Sequence, residues 1–266
     1  MSRIVGWLLG LAMVVPALGS QFWVEYDPSK NGGKLPEEVG WQRFVYAGGA
    51  ERWFEDGALV IDGLASSQIA DDYWVDVPLE PVPGQQMLLV EWRLRVDTAA
   101  SWDPLMAIDA AGHGLIMLSY DENEIYSHGE GVWIPFQGGD YREYRIESID
   151  MQTYLLFIDG ELAHVGLFGC PGPFSGVTWG DGSIGSASQS TWRRVGFGII
   201  PLPQAGDTNC DGTVDFGDIN PFVQALTDGD AYLDTYPGCW PDNADINSDG
   251  SVDFGDINPF IALLTS

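Results

Sequence analysis

Nine residues, Val214-Asp215-Phe216-Gly217-Asp218-Ile219-Asn220-Pro221-Phe222, recur without a change as Val252 to Phe260, 38 positions further on. Each copy follows an Asp-x-Asn-x-Asp-Gly run, Asp207 to Gly212 and Asp245 to Gly250. On the twelve-residue calcium-loop pattern, the first copy places Asp207, Asn209, Asp211, Asp215 and Asp218 at positions 1, 3, 5, 9 and 12. The second places Asp245, Asn247, Asp249, Asp253 and Asp256 there. Gly212 and Gly250 fall at position 6, where the chain turns sharply, and Thr213 and Ser251 offer carbonyls at position 7. A donor set made only of oxygen suits a hard cation, and a flexible shell suits calcium better than the stricter octahedron of magnesium. The pattern predicts two calcium ions, one in loop 207–218 and one in loop 245–256.

The charge distribution supports that reading. The chain carries 39 acidic and 11 basic residues, a formal net charge of −28. This excludes the broad positive face that nucleic-acid binding needs. From residue 204 onward every acidic residue is Asp, and there is no Glu, Lys or Arg. A merely solvating tail would use Glu freely, whereas Asp is chosen when a short carboxylate must reach a fixed point. Pro201-Leu202-Pro203-Gln204-Ala205-Gly206 forms the joint, so a first domain is expected over 20–203 and a second over 204–266.

That joint cannot be the helix that ordinarily enters a calcium loop. An exiting helix is predicted in both copies, with Asn220 and Asn258 as caps and Pro221 and Pro259 in the first turn. Ile219, Phe222, Val223 and Leu226 make one apolar stripe; Ile257, Phe260, Ile261 and Leu264 make the other. Two loop-plus-exit-helix units with Asp at position 12 resemble the type I dockerin domain. The resemblance covers residues 206–266 and implies two calcium ions and a cohesin-like partner, or another surface protein. Metal binding carries over residue by residue. Cohesin binding does not, because positions 10 and 11 are Phe216-Gly217 and Phe254-Gly255 instead of small polar residues. Val223-Gln224 and Ile261-Ala262 also stand where basic residues are common. Phe216 and Phe254 either form a two-fold docking patch or pack against the connector.

At the other end, Met1-Ser2-Arg3 precedes an apolar run from Ile4 to Val15, then Pro16-Ala17-Leu18-Gly19. This reads as a signal peptide, 1–19, cleaved after Gly19. The run is too short to span a bilayer, and no later segment is long and apolar enough, so no membrane span is expected in the mature chain. Secretion or display at the cell surface follows. Of three cysteines, Cys210 and Cys239 share the C-terminal segment and are the natural disulfide pair. Cys170 is left free or intermolecular. No Cys/His spacing suits zinc.

Residues 20–203 alternate with the two-residue period of strands. Val90, Trp92, Leu94 and Val96 alternate with Glu91, Arg93 and Arg95. Tyr154, Leu156 and Ile158 lead into Asp159-Gly160, a two-residue hairpin turn, and Leu162 to Val165 returns. Val195, Phe197 and Ile199 face opposite Arg194, Gly196 and Gly198. With 34 Gly and 16 Pro in the chain, the fold class is mainly β: an antiparallel sandwich of jelly-roll type, followed by a small helical calcium domain.

The ordered segments Val90 to Leu94, Tyr141 to Arg145, Leu156 to Gly160, and Trp179 to Gly182 followed by Trp192 resemble the concanavalin A-like lectin/glucanase superfamily, including its laminin G-like branch. That resemblance implies glycan binding, polysaccharide hydrolysis or adhesion. Retaining hydrolysis needs two carboxyl groups about 5 Å apart. The candidates, Asp121-Glu122-Asn123-Glu124 and Glu143 with Glu147, read as a hairpin tip and as a solvated face carrying Arg145, so no catalytic residues are assigned. His113, His128 and His164 are scattered and read as structural. Among nine Trp in this half, Trp92 reads as core, while Trp53, Trp102 and Trp133 sit among polar residues and are the candidate sugar-stacking contacts. Asp181, between two Gly, either holds a further calcium or shapes its turn. The expectation is a lectin-like sandwich that binds glycan or another surface partner, linked to polysaccharide binding or breakdown and tethered by the calcium domain, with a glycoside hydrolase and a structural surface protein as alternatives.

Overall fold

The computed structural model describes residues 22–65, 70–100, 103–110, 112–169, 175–182, 187–236 and 239–265. The expected signal peptide, Trp102 and Cys170 lie outside the described residues. Strands numbered in chain order form two antiparallel sheets. The first holds β1 (Phe22–Tyr26), β3 (Glu51–Glu55), β4 (Ala58–Asp62), β6 (Gln86–Ala100), β11 (Arg142–Ser148), β12 (Thr153–Ile158), β13 (Glu161–Leu167) and β15 (Ala187–Pro201). Its order is β13-β12-β11-β6-β15-β4-β3, with β1 also on β15. The second holds β2 (Gln42–Tyr46), β5 (Ala70–Asp76), β7 (Leu105–Ala110), β8 (Gly114–Tyr120), β9 (Glu124–Ser127), β10 (Val132–Pro135) and β14 (Gly176–Asp181), in the order β10-β9-β8-β7-β14-β5-β2. The protein is mainly β, a two-sheet sandwich with a small helical C-terminal part.

Side-chain parity builds the core. Leu88, Val90, Trp92, Leu94 and Val96 of β6 point inward, as do Tyr144 and Ile146 of β11 and Val195, Phe197 and Ile199 of β15. Trp179 is its centre, with ring centroids 4.9 Å from Tyr73, 4.8 Å from Trp192 and 5.7 Å from Trp41. Full burial of side chains this large contributes about 1.5–3 kcal/mol each. The Asp159-Gly160 turn forms as the sequence predicts, with φ of 50° and 81°, both left-handed. Asp121 to Asn123 link β8 to β9, the expected hairpin tip.

After β15 the chain makes no entering helix. Loop 207–218 leads into α1 (Ile219–Thr227), and loop 245–256 into α3 (Ile257–Leu264). Both helices start earlier than the sequence suggested. The cap positions are Asp218 and Asp256, and Asn220 and Asn258 lie inside the first turn. The reason is a short 3-10 turn, Phe216–Asp218 and Phe254–Asp256, whose own caps Asp215 and Asp253 accept from Gly217 N and Gly255 N. The connector contains α2 (Gly229–Thr235), which the sequence pattern did not disclose. Cys210 and Cys239 form the expected disulfide.

The C-terminal part packs on the outer face of the first sheet. Trp240 joins Met87, Leu89 and Ile200, flanked by Trp23 and Leu202. The Arg145 guanidinium lies 5.0 Å from the Trp240 ring centroid. Lys30 meets Asp234 of α2 at 2.8 Å.

Candidate functional site

The two loops share one set of backbone N–H bonds to their carboxylates. Asp207 accepts from Asp211 N at 3.2 Å and Gly212 N at 2.9 Å; Asp245 accepts from Asp249 N at 3.1 Å and Gly250 N at 2.8 Å. Asp218 accepts from Asn209 N and Asp215 N, both at 2.9 Å, and Asp256 from Asn247 N and Asp253 N, both at 3.0 Å. Position 12 is thus a buried carboxylate strapping both ends of each loop. Thr213 N and Ser251 N donate to Asp211 and Asp249. Gly212 and Gly250 adopt φ of 90° and 88°, the left-handed conformation that position 6 requires.

Among the described residues, no three carboxylate, imidazole or thiol groups already converge closely enough to hold an ion. The carboxylate oxygens are turned onto backbone N–H groups. The donor set nevertheless fits calcium: oxygen only, repeated at matching positions, with no basic side chain from residue 204 onward. Burial, with the charges of Asp218 and Asp211, pushes the Asp207 carboxyl up to about 6 despite the N–H bond from Gly212.

Phe216 and Phe254 are 74% and 78% exposed, so they do not pack against the connector. Val223 and Ile261 are also exposed, and only Phe222 and Phe260 of the predicted stripes are fully buried. The helices are too short, and their neighbours too few, to cover both sides of each stripe.

Of the candidate sugar-stacking residues, Trp102 lies outside the described residues, and the sandwich does not bring Trp53 and Trp133 together. Trp53 is 37% exposed on β3, an edge of the first sheet; Trp133 is 50% exposed on β10, the opposite edge of the second. Trp133 leans on Tyr126, centroids 4.8 Å apart. His164 pairs with Glu130 at 2.9 Å and His128 with the Ser119 hydroxyl at 2.8 Å.

What sequence reading missed is a cavity of about 530 Å³ on the outer face of the first sheet. Its floor includes Glu91, Arg93, Glu143 and Arg194, and α2 closes one side with Leu233 and Asp234. Burial raises the Glu91 carboxyl, opposed by Arg194 and Arg145. Glu147 is raised by burial too and meets Arg145 at 2.9 Å. Parity alone puts Glu91 and Arg93 on this face; that α2 walls it is a long-range fact no local pattern carries.

A second feature lies at one end of the sandwich. Asp71 is paired with Arg43, but Asp72 and Asp181 have no basic partner among the described residues. Asp181 is 1% exposed, and neither of its oxygens meets a hydrogen-bond donor. Burial, then the adjacent Asp103 carboxyl, push its pKa well above the carboxylate range.

No family model matches the chain, and no curated protein does. Among solved structures, a carbohydrate esterase from a Shiga toxin-encoding bacteriophage aligns at 12% identity and a TM-score of 0.49, over 68% of this chain and 99% of that one. The cellulose induced protein Cip1 aligns at 11% identity and 0.44, over 65% and 96%. A Bacillus licheniformis beta-glucanase aligns at 12% identity and 0.40, over 67% and 98%. Each is a likeness in strand arrangement at low identity.

Proposed function

We propose that this chain is an exported, calcium-binding modular protein of dockerin-like type, whose sandwich binds polysaccharide. The observation that carries the reading is the shared set of backbone N–H to carboxylate bonds in loops 207–218 and 245–256, each closed by a buried position-12 carboxylate. Asp207, Asn209, Asp211, Thr213, Asp215 and Asp218 hold the first ion, and Asp245, Asn247, Asp249, Ser251, Asp253 and Asp256 the second. Calcium supplies the positive charge that an all-Asp segment lacks, so ion binding and folding are one event. The exposed Phe216 and Phe254, related by the repeat, face a second protein whose docking surface is apolar. They replace the small polar residues of the usual cohesin-binding pattern, so a cohesin-like partner would have to be adapted to them.

The test uses the mature chain. Calcium titration should give two ions per molecule, and chelator should remove helical circular dichroism that calcium restores. Helicity and melting temperature indifferent to chelation would reduce the loops to acidic turns. Affinity electrophoresis through immobilised polysaccharides tests the sandwich, with migration unchanged by every sugar as the adverse result.

A further inference from the structure

We propose that the outer face of β6 and β15 is an anion subsite, which takes a sugar unit bearing one carboxylate or sulfate group. This rests on the polysaccharide-binding reading and names the chemistry of its ligand. The device that makes the subsite is a break in pairing. Trp192 pairs with Leu94 and Arg194 with Arg93, so Arg193 is an extra residue with no partner across the ladder. In a regular strand Arg193 and Arg194 would point to opposite faces. A bulge re-aims its side chains, and here both arginines reach the outer face.

The consequence is a convergence of like charge. The guanidinium groups of Arg193, Arg95 and Arg93 lie 4.1, 5.0 and 5.7 Å from the centroid of one ring, Tyr141. Arg95 is neutralised by Asp97 at 2.6 Å, and Arg194 by Glu25 and Glu91. Arg193 has no carboxylate within ion-pair distance among the described residues, and its Nε has no acceptor. Arg93 meets only the exposed Glu143, at 3.5 Å, and its Nε likewise lacks an acceptor. The cavity lining holds as many acidic as basic residues, and within it Arg93 and Arg193 are the guanidinium groups left under-partnered. Both Nε atoms are buried, so an oxyanion in the cavity would accept from the terminal nitrogens of the two guanidinium groups through charge-assisted hydrogen bonds.

The rest of the cavity narrows the ligand class. Asp27, Asp56 and Asp234 stand around its wall, and its volume is about 530 Å³. Carboxylates there accept hydrogen bonds from sugar hydroxyl groups, but they repel a densely charged polyanion at close range. Beyond about 10 Å that repulsion is screened by salt. A sparsely charged acidic polysaccharide satisfies both halves of the cavity: its anion on Arg93 and Arg193, its hydroxyls on the wall.

The experiment is affinity electrophoresis and calorimetry of the calcium-loaded full chain. The probes are a uronate polysaccharide, a lightly sulfated polysaccharide, a neutral β-glucan and inorganic sulfate. Retention by the uronate or the sulfated polymer is expected, and which of the two distinguishes carboxylate from sulfate. Arg193→Gln and Arg93→Gln should each weaken that binding by roughly ten- to hundredfold, the size of one lost charged hydrogen bond, with circular dichroism unchanged. Should either variant fail to fold, Arg193→Lys keeps the charge without the fork and should lose only part of the affinity. Binding of the neutral β-glucan alone, untouched by Arg193→Gln, would overturn the anion subsite while leaving polysaccharide binding standing. Failure of all three polymers overturns both. Sulfate binding as tightly as the polymers overturns the sugar half of the proposal.

Discussion

Phe222 stacks on Phe260 with ring centroids 4.3 Å apart and planes inclined by 27°. The two residues hold the same place in their repeats, in the first turn of α1 and of α3, and each is only 3% exposed. With Ala244 they form the joint between the loops, so the exit helix of each loop is seated on that of the other. On the calcium reading, an ion bound to one loop would therefore stabilise the surface on which the second loop closes.

Phe222→Ala should weaken calcium binding at both loops and not only at 207–218. Removing a buried phenylalanine costs about 3–5 kcal/mol, as much as the whole core of a segment this small supplies. Calorimetry should show both ions bound more weakly. Phe216→Ser, at a 74% exposed position, should leave calcium affinity and melting within about 0.5 kcal/mol of the parent. Equal damage from the two changes would refute this division of labour.

Position 12 gives a sharper count. The Asp218 carboxylate straps Asn209 N and Asp215 N together, and the Asp256 carboxylate does the same for Asn247 N and Asp253 N. Asp218→Ala or Asp256→Ala should each reduce the stoichiometry from two ions to one. Measured calcium content by elemental analysis decides it, and two ions retained in either variant would move the ligand assignment elsewhere.

Local pattern reached far in this chain because much of it is written at short range. Period-2 parity placed Trp92 and Tyr154 inside, Asp-Gly made the β12–β13 turn, and the repeat showed that segments 207–218 and 245–256 would share one loop geometry. Three things were hidden. The helix start moved from Asn220 to Asp218 because a 3-10 turn intervened, a choice settled by the carboxylate's bonds to Asn209 and Asp215. The seat of Trp240 on Met87 and Leu89 joins positions more than a hundred residues apart. Arg193 reaches the outer face only because one strand carries an extra residue, and no alternation rule marks where a ladder will slip.

Three carboxylates of this face, Glu91, Glu143 and Glu147, stand in ion pairs with arginine. Arg145 stands between Glu143 and Glu147 on β11 and pairs with Glu147, while Glu91 is paired with Arg194. Neutral β-glucans should yield no reducing ends with the mature chain, even over long incubation. Sugar release that disappears in Glu91→Gln or Glu143→Gln would make this face a glycosidase site instead.

Asp72 and Asp181 set the last expectation, which concerns pH in the presence of chelator. Burial, reinforced by the Asp71 charge, raises the Asp72 carboxyl to about 7, and burial beside Asp103 raises Asp181 further still. An unfolded aspartate loses its proton near pH 3.9. Above that value the folded chain holds protons the unfolded chain has already released. Stability must then fall as pH rises, by at most about 1.4 kcal/mol per pH unit for each group. The Asp72 share should be spent by about pH 7, and the Asp181 share should persist beyond it. Of the groups shifted the other way, Glu130 and Asp150 are ionised in both states above pH 5 and add no slope there, while His128, lowered by burial, opposes the decline up to about pH 6.5 and offsets at most one of the two aspartates. Urea midpoints followed by tryptophan fluorescence at pH 5, 6, 7 and 8 should therefore decline steadily. Asp181→Asn, which keeps the shape of the neutral acid, should flatten the decline above pH 7 and raise the midpoint at pH 8. A midpoint that climbs with pH in chelator would mean that these carboxylates are ionised in the folded protein and balanced by a positive charge close to them.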